Sequence, residues 1–130
     1  MGQTLTLAAV GAVAFMVLDG TWFGMLMKSF YRDQLAPIVR LADGTIAPNW
    51  CAAFVVYVLL GTGIALFVIP RASTISSAAG YGAMLGLVVY GVYDFTNYST
   101  LRQWPFVLVR VDVGMVASAA CAAVVRVAAR

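Results

Sequence analysis

The chain has 130 residues, of which 63% are hydrophobic and only 10% charged, with a net charge of +3 and a mean hydropathy of +0.95. A soluble domain carries roughly 25% charged and about half apolar residues, so this composition excludes a water-soluble fold and points to a bilayer. His and Glu are absent, which excludes His-ligated haem, zinc sites built on His or Glu, and most familiar acid–base pairs.

At ~20 apolar residues per crossing, the chain is expected to be all-α: one polytopic domain over residues 1–130, a compact bundle of four transmembrane helices. The segment 5–27 forms the first span, apolar until Asp19-Gly20-Thr21-Trp22 near its end. No basic n-region precedes it and no small-residue cleavage site follows it, so it is expected to be a retained span and not a signal peptide. Residues 28–49 are the most polar stretch. Within it, Ser29 to Arg40 mixes Phe30, Leu35, Ile38 and Val39 with Arg32, Asp33, Gln34 and Arg40, a pattern that suits a short amphipathic segment lying in the headgroup region. Asp43-Gly44 predicts a turn, and Pro48-Asn49 introduces the second span, 50–69, which Pro70-Arg71 stops. The third span, 76–97, starts near Ser76-Ser77 as caps. A short polar link leads to Pro105 and the fourth span, 105–125, before Arg126 and Arg130. Continuous apolar runs favour helices over the alternating ~10-residue strands of a membrane barrel, because a helix satisfies its backbone groups within one segment.

Four spans place both termini on one side. Lys28, Arg32, Arg40 and Arg102 occupy the loops of the other side, against Arg71, Arg126 and Arg130 on the terminal side. This small bias leans toward a cytoplasmic first loop and periplasmic termini. The basic residues flank apolar segments and form no stripe with aromatics, so they suit anionic lipid headgroups. The expected partners are membrane lipids, and a second copy or a membrane partner protein, with no nucleic acid.

Asp19, Asp94 and Asp112 fall in the same half of the bilayer, with Asp19 and Asp112 roughly 10 Å below their helix ends at 1.5 Å per residue. A central Asp or Arg costs on the order of 2.5–3.5 kcal/mol to insert, so these groups are expected to face one another or a wet cavity. Arg110 is the cation deep enough to serve them. It lies two residues from Asp112 and so points elsewhere on its helix, toward Asp19 or Asp94. Arg126, near the end of its span, is expected to snorkel to the interface. Helical spacing adds neighbours, giving a candidate cluster of Asp19, Trp22, Tyr90, Asp94, Asn97, Arg110 and Asp112. It reads as a polar pocket for a lipid headgroup, a cation or a small polar ligand, or as an interhelical hydrogen-bond network that locks the bundle. Gly20-x-x-x-Gly24 and Gly82-x-x-x-Gly86 permit close helix approach. Cys51 and Cys121 lie toward opposite membrane faces and are not expected to pair. No catalytic residues, metal or cofactor are assigned.

Several of these residues carry a resemblance. Asp19-Gly20-Thr21-Trp22, Phe30-Tyr31, Tyr90-Gly91-Val92-Tyr93-Asp94-Phe95-Thr96-Asn97, Thr100-Leu101, Trp104-Pro105 and Asp112 resemble the bacterial membrane family called domain of unknown function 2177 over nearly the whole chain. The resemblance implies four spans in a bacterial inner membrane and a link to lipid metabolism, but no established activity. The function expected is a membrane-embedded binding or accessory protein with its pocket open on the long-loop side. The alternatives are a small proton- or cation-coupled transporter using membrane Asp residues and, third, a lipid-modifying enzyme.

Overall fold

The computed structural model describes residues 1–111 and 114–130. The described chain is mostly helical. Helix α1 (Gly2–Thr21) continues through a π-helical turn, Trp22–Leu26, and helix α2 (Lys28–Leu35) follows. Helix α3 (Trp50–Gly63) runs through a second π-helical turn, Ile64–Val68, into the 3-10 turn Ile69–Arg71. Helix α4 (Ile75–Thr100) is the longest, and the chain ends with α5 (Phe106–Val111) and α6 (Gly114–Ala128). Among the described residues, three helical stretches are long and apolar enough to cross a membrane: Gly2–Leu26, Trp50–Arg71 and Ile75–Thr100. At 1.5 Å per residue, α6 alone is about 22 Å long, short of the ~30 Å hydrocarbon layer.

Local chemistry explains the helix starts. The Asn49 side chain accepts hydrogen bonds from the Cys51 and Ala52 amides, at 3.1 and 3.2 Å, and so caps α3. For α4 the cap is Thr74, ahead of the predicted Ser76-Ser77. Its hydroxyl accepts from the Ser77 amide at 3.1 Å, and the Ser77 hydroxyl accepts from the Thr74 amide at 3.0 Å, a reciprocal capping box. The all-α reading needs one amendment. The predicted turn at Asp43-Gly44 is a two-residue hairpin joining β1 (Leu41–Ala42) to β2 (Thr45–Ile46), with Leu41 opposite Ile46. Both turn residues have positive φ, 49° and 72°, the left-handed backbone that Asp tolerates and Gly adopts freely.

The most extensive packing is α6 along α4; α6 also lies against α1, whose other face packs on α3. The contacts are close because small residues face one another. A Cβ added to Gly61 would strike the backbone of Ala8 and Ala12 on α1, and one added to Gly11 would sit 2.9 Å from the Gly61 Cα. On the other side, a Cβ on Gly82 or Gly86 would come within 2.5 Å of the Ser118 or Gly114 carbonyl of α6. Of the two glycine pairs singled out in the sequence, Gly82 and Gly86 therefore pack inside the chain. Nothing lies within 4 Å of a Cβ on Gly20 or Gly24. The core enclosed in this way contains Phe15, Ile64, Val68, Cys121 and Val125. Large apolar side chains such as Phe54, Phe67, Met84 and Leu87 are exposed, the surface a lipid environment covers. Both cysteines are free: Cys51 is exposed at the start of α3, and Cys121 is buried, its thiol donating to the Gly11 carbonyl at 3.4 Å.

Candidate functional site

The polar residues continue the packing stripes. On α1 the buried row Leu7, Gly11, Phe15 extends at a step of four to Asp19, which is half-buried and is an electrostatic neighbour of Tyr57 on α3 and Cys121 on α6. On α4 the buried positions Ala78, Gly82, Gly86 and Asp94 fall on one i, i+4 row with Tyr90 between them, so the face that packs on α6 also turns Tyr90 and Asp94 inward. Asp94 is 3% exposed and is the buried charged residue of the described chain.

A cavity of about 110 Å³ is lined by Gly86, Leu87, Tyr90, Asp94, Phe95 and Val109, among others. Its inner wall holds the Asp94 carboxylate and the half-buried Tyr90 ring, whereas Leu87 and Phe95 are exposed at its mouth. Tyr90 keeps this position because Gly114 faces it: a Cβ on Gly114 would fall within the Tyr90 ring. A larger cavity, about 410 Å³, lies between α1 and α6 and is lined only by Ala9, Val10, Val13, Ala14 and Val124. It offers no polar group to orient a ligand, so size alone does not identify the site.

Trp22 goes elsewhere. Its indole Nε1 donates to the Tyr31 hydroxyl at 3.4 Å, and the Tyr31 ring packs edge-on against Phe23 at 4.5 Å and Phe30 at 5.5 Å. The π-helical turn that begins at Trp22 shifts the helical phase just after Asp19 and directs these rings toward α2. Tyr31 is 5% exposed and thereby anchors the amphipathic helix to the first span. Sequence reasoning omitted Tyr31 from the site, although the Phe30-Tyr31 pair carried part of the family resemblance. Trp104 packs edge-on against Tyr93 at 5.6 Å, and Tyr98 lies 5.2 Å from Phe106. Together these rings form an aromatic layer at the long-loop end, as expected at a membrane–water interface.

Asn97 is half-buried three residues beyond Asp94. Arg110 is exposed, and among the described residues it forms no ion pair with Asp19 or Asp94; the ion pair present joins the neighbours Arg32 and Asp33 at 2.9 Å. Asp112 lies outside the described residues. Arg126, expected to snorkel, is half-buried, and its Nη2 donates to the Ser73 carbonyl at 2.9 Å. Among the described residues no group of three His, Cys, Asp or Glu is placed to hold a metal ion.

The model of the family described as Predicted membrane protein (DUF2177) matches residues 4–127. No curated protein and no solved structure matches the chain.

Proposed function

Because the chain belongs to the DUF2177 family of predicted membrane proteins, we propose that it is a membrane-embedded binding or accessory protein that takes a lipid headgroup, or a small polar ligand of similar size, at the Tyr90–Asp94 cavity. The observation that carries this reading is Asp94, buried at the back of a cavity whose mouth is lined by exposed Leu87 and Phe95. A carboxylate is costly to hold at this depth unless it has polar company, and apolar walls beside one polar group match an amphipathic ligand entering from the lipid side. Tyr90 supplies a second hydrogen-bonding group on the same wall. We propose that the half-buried Asp19 and Asn97 border the same site and that Arg110 and Asp112, from the next span, contribute to it, while Trp22 braces Tyr31 beside it.

The test is native mass spectrometry of gently extracted protein. The wild type should retain lipid or a small polar adduct, and Asp94→Asn should lose most of it, by about tenfold or more, as expected when a hydrogen bond to a charged group is removed. Equal retention in both would overturn the binding reading. Substrate-dependent flux in proteoliposomes, abolished by Asp94→Asn, would replace it with a carrier.

We also propose that α5 and α6 together supply a fourth crossing, in a bacterial inner membrane, with both termini periplasmic. In a background without Cys51 and Cys121, Gly44→Cys and Ala128→Cys should be labelled from opposite sides by a membrane-impermeant maleimide. Labelling from one side would leave an odd number of crossings.

A further inference from the structure

Resting on the binding reading above, we propose that the group taken at the Tyr90–Asp94 cavity is a primary ammonium, carried by an aminophospholipid headgroup or by a free small amine. The sign of the charge comes from the wall. Among the described residues that line the cavity, Asp94 is the charged one, and no Lys or Arg stands with it. A phosphate brought against this carboxylate meets a like charge in a poorly screening medium, whereas an ammonium gains charge-assisted hydrogen bonds. An ionised carboxylate offers about four acceptor sites, so a contact within the chain still leaves acceptors for the ligand. The rings of Tyr90 and Phe95 also line the cavity, and aromatic faces attract cations.

Size and depth narrow the cation. A cavity of about 110 Å³ has room for roughly three to four water-sized groups at ~30 Å³ each. That suits an aminoethyl end better than the bulkier trimethylammonium, which also has no N–H to donate. Gly91 keeps this space open: it lines the cavity one turn from both Leu87 and Phe95, and a Cβ built on it would meet nothing within 4 Å. Asp94 stands roughly 9 Å short of the Thr100 end of α4 at 1.5 Å per residue. Its sequence neighbour Tyr93 packs on Trp104 in the aromatic layer, which sets the carboxylate near the headgroup level. Leu87, about two turns deeper and exposed, lies where the acyl chains of a lipid run.

The full chain in detergent should be titrated, under native mass spectrometry, with phosphatidylethanolamine, phosphatidylcholine, phosphatidylglycerol or free ethanolamine. Wild type is expected to retain phosphatidylethanolamine about tenfold better than the other two lipids, and Asp94→Asn should abolish that preference. Gly91→Leu fills the cavity without touching the acid and should lose the preference as well. Its melt should lie at or above that of the wild type, because its Cβ meets no protein atom and Leu favours a helix over Gly. This second variant decides the matter even where Asp94→Asn fails to fold. Ethanolamine retained with the same dependence on Asp94 and Gly91, without phosphatidylethanolamine, would uphold the ammonium site and assign it to the free amine. Phosphatidylglycerol or phosphatidylcholine retained as well as phosphatidylethanolamine, and still lost in both variants, would overturn the ammonium assignment and leave the binding reading standing. Retention unchanged in both variants, or no retention of any probe, would overturn the two together. A Gly91→Leu melt well below that of the wild type would show that the space is filled, and would overturn the proposal.

Discussion

Gly61→Ala is expected to destabilise the protein by about 1–3 kcal/mol or more, the range for forcing extra volume into a packed interior. The added methyl group meets the backbone of Ala8 and Ala12 and not the end of a flexible side chain, so α1 and α3 must move apart as rigid bodies. That separation forfeits dispersion contacts along the whole pair, and in a bilayer such packing, not the hydrophobic effect, holds helices together. Gly24→Ala is the matched control. Nothing lies within 4 Å of its Cβ, so the substitution should be neutral or stabilising by about 0.5–1 kcal/mol through the better helix propensity of Ala. Thermal unfolding in detergent measures both. Equal melting temperatures for the two variants would show that α1 and α3 do not meet at Gly61.

Gly114→Ala should cost a similar amount, about 1–3 kcal/mol, and the loss should be relieved in a particular way. The new methyl group occupies the place of the Tyr90 ring, so the ring must leave the α4–α6 contact. Tyr90→Ala alone loses the packing of a half-buried ring. Once the ring is absent, however, the atoms that the added methyl group at position 114 strikes most closely are gone, and the double variant should be more stable than the sum of the two losses by about 0.5–3 kcal/mol. A double-mutant cycle on thermal stability reads this directly, and additive losses would remove the Tyr90–Gly114 contact. Because Tyr90 lines the Asp94 cavity, Gly114→Ala should also reduce ligand retention without touching an acidic residue.

Much of the architecture was legible in the residues. Apolar runs ended by Pro70-Arg71 and started by Pro48-Asn49 bound the second span, since a helix start needs an acceptor for its first amides and a stop needs a residue that cannot continue the ladder. The inward turn of Asp94 was legible as well: it shares an i, i+4 row with Gly82 and Gly86. The partners were not. Gly82-x-x-x-Gly86 and Gly20-x-x-x-Gly24 have the same spacing, yet only the first is covered within the chain. The equally tight Gly11–Gly61 contact joins single glycines from two helices and leaves no spacing signal at all. Arg110 and Arg126 show the same limit. Depth in a span says neither that the first is exposed nor that the second donates to the Ser73 carbonyl.

The sequence by itself determined that this chain is a helical membrane protein, where its three long apolar helices run, and where along each one the polar groups fall. These depend on composition and on the 3.6-residue period, which are properties of one segment at a time. The tertiary structure decided that α1 seats against α3 and α6, that Tyr90 rests on Gly114, and that Trp22 joins Tyr31. Those outcomes depend on the rotation and separation of helices distant in sequence, which are set by side-chain volumes meeting across an interface. No local pattern within a single helix encodes them.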